Sequence, residues 1–275
     1  MMPLNGKTAL ITGSTDGVGR VVAERLGEAG ARVLIHGRDR QRGERVVATI
    51  KAAGGAAEFL AADFASLAEV RRLADTVRKT ETRLDILVNN AGIGTAGTSR
   101  LISNDGHELR FAVNYLAGFL LTYLLLPLLR QSTPARIVNV ASAGQQAIDF
   151  RDVMIARGFS GSRAYCQSKL AQIMFTIELA RELADADVVV TALHPATYMD
   201  TSMVRRAGVT PISTVEEGAK AILQLAVSPA VAGRSGRYFS GLKEARANAQ
   251  AYDDVARREL RALSLGLTGL SETAG

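Results

Sequence analysis

The chain has 275 residues, 47% of them apolar and 22% charged, which is too apolar for disorder and is one large domain or two small ones. Its single cysteine excludes an intramolecular disulfide and a cysteine-rich zinc site. The net charge of +6 comes mostly from arginines scattered among acidic residues, as in Arg71-Arg72, Arg205-Arg206 and Arg257-Arg258. That pattern reads as solvated helix faces and excludes a basic tract for nucleic acid.

Strand-like and helix-like segments alternate along the chain. Thr8 to Thr12 is an apolar run that ends in glycines, and Val18 to Ala29 has helical periodicity before Gly30. Arg32 to His36 reads as a strand and Arg40 to Ala53 as a helix. Ala57 to Ala61 and Ser66 to Thr80 repeat the pair. Leu84 to Asn89 is a fourth strand, followed by a long helical stretch from Asn104 to Leu129. Ala135 to Val140 is a fifth strand, and Tyr165 to Leu183 is a periodic helix. Val188 to Leu193, Val215 to Val227 and Arg237 to Phe239 complete the series. Short apolar strands between helices predict an α/β fold, a doubly wound parallel sheet of about seven strands with helices on both faces. No linker divides residues 1–275, so a single domain is expected, with a first half to about residue 140 and a second half from about 141. No secretory signal opens the chain. The uncharged stretch Phe111 to Leu129 contains Asn114, Gly118 and Pro127 and reads as a buried helix. A soluble, cytoplasmic protein without a membrane anchor is expected.

The first strand runs into Thr12-Gly13-Ser14-Thr15-Asp16-Gly17-Val18-Gly19, and a helix follows. Glycines let the backbone turn and approach a pyrophosphate, and the helix start supplies free N–H groups. A tight strand-to-helix turn would use the same residues. Further along come Asn89-Asn90-Ala91-Gly92, Asn114, Ser142 and Tyr165-Cys166-Gln167-Ser168-Lys169. The TGxxxGxG spacing, the NNAG run and the YxxxK pair, in this order, resemble the short-chain dehydrogenase/reductase superfamily over roughly the whole chain. Asp149-Phe150-Arg151-Asp152, QSKLA at Gln167 to Ala171 and the tail Leu263 to Leu270 resemble its retinol-dehydrogenase-like branch.

The resemblance implies a nicotinamide cofactor held by Gly13, Ser14, Thr15, Asp16, Gly17, Val18 and Gly19. It places Asp63, with its neighbour Phe64, beside the adenine, although Asp63 and Ser66 are also candidate N-caps for the next helix. Asn89, Asn90, Ala91 and Gly92 would line the adenosine side. The second strand ends Leu34-Ile35-His36-Gly37-Arg38, where Gly37 stands at the place of the usual ribose-binding acid. Arg38 can pair with a 2′-phosphate, so NADP(H) is expected over NAD(H).

Tyr165 and Lys169 are four apart on a helix and share a face. A lysine ammonium and an oxidised nicotinamide ring near the phenol both favour phenolate and suit the tyrosine to proton exchange with a carbonyl or alcohol. By resemblance Ser142 binds the same oxygen, Lys169 also holds the nicotinamide ribose, and Asn114 holds a water that relays protons. Cys166 reads as packing. His36, His107 and His194 have no metal-ligand spacing, and no metal is expected.

After the sixth strand, His194-Pro195-Ala196-Thr197-Tyr198-Met199-Asp200-Thr201 resembles the family's carboxamide-capping loop. Ala196 replaces its glycine and the threonine comes one residue late. Pro195, Thr197, Tyr198 and Thr201 are the candidate contacts. Between Ser142 and Tyr165 lie 22 residues, a long insertion. Met154, Ile155, Phe159, Met199, Met203 and Val204 are either an apolar substrate lining or lid packing. The reading is an NADP(H)-dependent carbonyl reductase or alcohol dehydrogenase acting on a small, apolar molecule. A non-catalytic NADP(H)-binding regulator on the same fold is the alternative. The resemblance implies a homodimer or homotetramer through the helices that hold Asn114 and Tyr165.

Overall fold

A computed structural model describes residues 3–97 and 99–271. One sheet runs in the order β3-β2-β1-β4-β5-β6-β7-β8. Its strands are β1 (Thr8–Ile11), β2 (Arg32–Gly37), β3 (Ala56–Ala61), β4 (Ile86–Asn89), β5 (Ala135–Val140), β6 (Val188–His194), β7 (Arg237–Ser240) and β8 (Lys243–Glu244). All pairings are parallel except β7 with β8. The two-residue β8 adds an eighth strand, too short to carry a hydrophobic pattern of its own.

Side chains alternate across each strand, so the continuous apolar runs feed two cores. Ala9, Ile11, Val33 and Ile35 face helices α1 (Gly17–Glu28), α2 (Arg40–Ala52) and α7 (Val215–Val227). Leu10, Leu34 and Leu87 face α3 (Leu67–Thr80), α4 (Ala117–Gln131), α5 (Gly161–Glu182) and α8 (Asp254–Thr268). The chain leaves β1 toward β3, then returns to β4 on the other side of β1. That reversal opens a crevice at the carboxyl ends of β1 and β4, where ligands of such sheets bind.

The helix expected from Asn104 starts later. Gly106 takes a left-handed φ of 83°, and Ile102 and Glu108 form an antiparallel bridge. Asp105 spends its carboxylate on the Leu67 N–H at 2.9 Å, at the start of α3. Helical backbone begins at Leu109 and passes through a π-helical turn, Phe111–Leu116, into α4. Asn114 lies inside that turn, a wide segment often found at functional sites. α5 begins four residues before Tyr165, because Ser160 accepts from the Arg163 N–H at 3.3 Å and caps it.

Two helices have no counterpart in the sequence reading. α6 (Ser202–Arg206) is one short turn after β6. α8 starts at the Asp253 cap, ends at left-handed Gly269, and lies on α5 and the π turn. Tyr115 and Ser264 share a hydrogen bond at 2.7 Å, Arg257 pairs with Glu178 at 3.1 Å, and Arg261 pairs with Glu182. The apolar face that invited an oligomer interface is therefore covered by the chain's own C-terminal helix.

Candidate active site at the crevice

The glycine run forms a tight cradle. Gly13 and Gly17 have φ of 63° and 55°, the left-handed region that favours glycine. A Cβ on Gly13 would stand 2.8 Å from the Ala91 Cα, and one on Gly19 would collide with the Asn90 amide. Asp16 caps α1 through the Gly17 N–H at 2.7 Å. The bare glycine backbone and the N–H groups of the α1 N-terminus fit a pyrophosphate.

β1 and β4 are stitched together just beyond the sheet. The Thr12 hydroxyl accepts from the N–H groups of Asn90 and Ala91, both at 2.9 Å. The Asn90 amide donates to the carbonyls of Thr12 and Gly13 at 2.9 and 3.0 Å. Asn90 thus holds the loop and spends its donors there. Asn89 points into the other layer, donating to Thr122 and Asn139 at 2.9 Å, so the adenosine role expected of its side chain does not hold.

His36 fixes the cradle from below. Its Nδ1 accepts from the Gly13 N–H at 3.1 Å, which leaves Nε2 to donate to the Ala62 carbonyl at 3.2 Å. Burial pushes its pKa down to about 4, so it is neutral. Phe64 is buried and stacks on His36 at 4.3 Å, so its ring supports the floor and does not line the crevice. Ser14 is also buried and donates to the Ile11 carbonyl at 2.7 Å.

At the end of β2, a Cβ on Gly37 would sit 2.5 Å from the Thr15 methyl carbon. Arg38 is exposed and lies 3.8 Å from Asp63. Asp63 accepts from the Ala65 N–H, while Ser66 takes the N-cap of α3. Arg42 reaches Asp16 at 3.4 Å, so a second guanidinium stands beside the cradle.

Two residues from two elements meet at Gly92, where a Cβ would be 3.3 Å from the Asn114 Oδ1 and 3.4 Å from the Lys169 Nζ. Two more meet at Gly144, where a Cβ would be 3.5 Å from Ser142 Oγ and 3.7 Å from the Tyr165 ring. The Asn114 amide donates to Ser168 Oγ at 2.9 Å and the Ile93 carbonyl at 3.1 Å, and accepts from the Ile93 N–H at 2.7 Å. Both its donors are spent, so a relay water at Asn114 would have to donate to its Oδ1 or to a backbone carbonyl. Lys169 Nζ donates to the Val140 carbonyl and Gln172 Oε1, both at 2.9 Å, and lies 5.8 Å from the Tyr165 ring centre. Ser142, just past β5, lies beside the Tyr165 ring across Gly144.

The electrostatics correct the sequence expectation. Burial pushes the Tyr165 phenol up, and the neighbouring Ser142 only partly opposes it. Burial also pushes Lys169 down to about 7. Desolvation outweighs the mutual bias of the pair in the protein alone. Cys166 is likewise pushed up by burial, which suits packing and not nucleophilic chemistry.

The loop after β6 folds over the cradle. Ser202 Oγ donates to Asp16 at 2.9 Å, and Thr201 caps α6 with its methyl near Gly17. Thr197 hydrogen-bonds His194 at 3.0 Å, Pro195 is buried, and Tyr198 is half exposed with a left-handed φ of 46°. Met154, Ile155 and Met199 are packing residues: Met199 sulfur rests on Gly218, and Ile155 is buried. Met203 does face the crevice side, beside Gly94.

Two features escaped the sequence reading. Arg110 is buried, pairs with Glu108, and donates to the carbonyls of Gly94 and Ala96 at 2.9 and 2.7 Å. It clamps the loop that follows the NNAG run. Its only local signal was a charge flanking an apolar stretch. Tyr238 left no signal because its partner, the Ser142 carbonyl, lies 96 positions away.

The sequence profile of the short chain dehydrogenases matches residues 7–210. Human retinol dehydrogenase 14 is 38% identical over 297 aligned residues, covering 97% of this chain and 88% of the relative. A crystal structure of an uncharacterised protein from Mycobacterium paratuberculosis superposes with a TM-score of 0.81 at 30% identity, covering 98% of this chain and 96% of that one. An NADP complex of Pseudomonas aeruginosa RhlG superposes with a TM-score of 0.71 at 31% identity, covering 86% of this chain and 95% of that one. The chain belongs to the short-chain dehydrogenase/reductase family of oxidoreductases, on its retinol-dehydrogenase-like branch.

These relatives correct the cytoplasmic expectation. They are named for retinol, an alcohol that partitions into membranes, and simple cytoplasmic residence does not stand beside them. Among the described residues, one helix, Phe111–Gln131, is long and apolar enough to cross a bilayer, with 83% of its most apolar window buried in the fold.

Proposed function

We propose that the protein transfers a hydride between NADP(H) and an apolar carbonyl or alcohol, with Tyr165 as the general acid and base. The placement of Asn114 and Lys169 at Gly92, with Lys169 on the Tyr165 ring and Ser142 beside Tyr165 at Gly144, carries this reading. The nicotinamide, when bound, supplies or accepts the hydride. Tyr165 holds the proton at its hydroxyl and passes it to the substrate oxygen, or takes it back on oxidation. Ser142 Oγ orients that oxygen. Lys169 would bind the nicotinamide ribose and bias Tyr165 toward phenolate once its own charge is paid for by new partners. Asn114 ties the Ile93 backbone to Ser168.

The crowding of Gly37 against Thr15, with Arg38 and Arg42 alongside, supports a 2′-phosphate over a bare ribose. The substrate is a small molecule, with no nucleic acid involved. Any homodimer or homotetramer would have to use faces other than the one α8 covers, which sedimentation can test. NADPH consumption at 340 nm with a panel of apolar aldehydes and ketones, retinal included, tests the activity. Tyr165→Phe should abolish turnover while NADPH still binds, and retained turnover refutes its role. Arg38→Ala should raise KM for NADPH and leave KM for NADH unchanged.

A further inference from the structure

We infer that Tyr238 and Gln145 are positioning residues for Ser142, with Gln145 itself held by the Asn248 N–H. The inference rests on the proposed role of Ser142. β5 ends its pairing with β6 at Val140, so the sheet no longer holds the Ser142 peptide. Side chains take over. The Ser142 carbonyl accepts from Gln145 Nε2 at 2.9 Å and from the Tyr238 hydroxyl at 3.1 Å. Tyr238 comes from β7, two strands away, and is buried. Its hydroxyl and the Gln145 amide thus meet on one carbonyl oxygen.

The other face of the same turn carries the reactive group. Ser142 Oγ accepts from the Gly144 N–H at 3.0 Å. That contact leaves its own hydrogen free to point elsewhere. Rotating the peptide after Ser142 would move Gly144 and swing the hydroxyl off its line toward Tyr165. Two donors on one carbonyl oppose that rotation. Burial raises the Tyr238 phenol to about 12, so it remains a donor at any working pH.

The brace reaches the C-terminal segment. The Asn248 N–H donates to Gln145 Oε1 at 2.7 Å. Gln250 holds both backbone groups of Ile148, at 2.6 and 3.0 Å, and Gln167 holds the Ala147 carbonyl at 2.8 Å. Ser142 is thus placed by one residue three positions away, itself held from Asn248, and by one 96 positions away in sequence. A displacement of about 1 Å at a reacting group can cost on the order of 10²-fold in rate.

Kinetics of Tyr238→Phe, Gln145→Leu, Gln250→Leu and Ser142→Ala test this, with the panel carbonyl that the wild type reduces fastest. Tyr238→Phe and Gln145→Leu should each lower kcat roughly 5- to 50-fold with KM for NADPH unchanged. Gln250→Leu frees Ile148 only, so it should lower Tm with kcat within twofold. In a Ser142→Ala background, Tyr238→Phe should cause no further loss. If Ser142→Ala is inactive while Tyr238→Phe and Gln145→Leu keep kcat within twofold, the inference is overturned. A further loss in the Ser142→Ala background overturns it too. Wild-type turnover by Ser142→Ala instead removes the underlying reading of the site. Should Tyr238→Phe fail to fold, Gln145→Leu on the half-buried loop decides alone.

Discussion

His36 and Lys169 are both buried nitrogen bases, one under the glycine cradle and one under the reacting tyrosine, and burial does different things to them. His36 has each nitrogen matched to a partner that suits its neutral form, and its pKa falls to about 4, far below any working pH. Lys169 meets two carbonyl-type acceptors that suit its cation, yet desolvation brings its pKa down to about 7. The first group is satisfied and inert. The second sits where a small change in surroundings, such as a bound ligand, decides its charge. A buried base is structural when its neutral state is fully hydrogen-bonded, and chemical when its charged state is half supported.

Lys169→Met should break that contrast hardest. Turnover should fall by about 10² to 10⁴-fold, read as kcat at saturating NADPH. The pH dependence of stability gives a second reading. Because the folded pKa lies below the unfolded value of 10.5, the unfolded chain binds more protons between about pH 7 and 10. Wild-type stability should therefore rise with pH in that window relative to Lys169→Met, on the order of a few kcal/mol, in cofactor-free protein. A pH-independent Tm difference between the two would mean that Lys169 is not desolvated.

Gly19→Ala probes the cradle itself. The new methyl meets the Asn90 amide and the Gly13 carbonyl, so KM for NADPH should rise by about tenfold or more, with a stability cost of roughly 1–3 kcal/mol. Unchanged NADPH binding by fluorescence would show that the loop does not hold the phosphates. His36→Phe keeps the stack on Phe64 but orphans the Gly13 N–H and the Ala62 carbonyl, at a cost of about 1–3 kcal/mol in chemical denaturation. Its pH signature runs from 6.5 down to about 4: the unfolded histidine takes up a proton there and the folded one does not. The wild type should lose stability across that window as acid is added, and the variant should lose less. The smallest effect is Tyr198→Gly, which relieves a left-handed φ at a half-exposed side chain and should raise stability by up to about 1 kcal/mol. A clear loss of Tm would mean that the Tyr198 ring carries packing that its exposure hides.

The parallel order of strands and the crevice at β1 and β4 were legible because each depends on short-range pattern. The glycine spacing places three bare positions within one turn, and Tyr165 with Lys169 share a helix face at any four-residue separation. Legibility ended where a residue's partner lies far along the chain. Arg110 looked like the edge of an apolar stretch, and only the folded chain sets it on the carbonyls of Gly94 and Ala96. Asn104 to Glu108 had a helical pattern, and lost it because Asp105 is needed at the start of α3. Asn89 had the right motif and the wrong direction, since the last residue of a strand alternates into whichever layer the pleat assigns.

By itself the sequence determined the fold class, the family and the set of groups that can do chemistry, because periodicity and motif spacing are local properties of the chain. Tertiary structure alone decided the state of those groups. Burial sets Tyr165 up and Lys169 down, α8 covers an apolar face that sequence left open, and Tyr238 reaches across the sheet to the Ser142 carbonyl. Desolvation and hydrogen-bond partnership depend on what the rest of the chain brings alongside, and no local pattern encodes that.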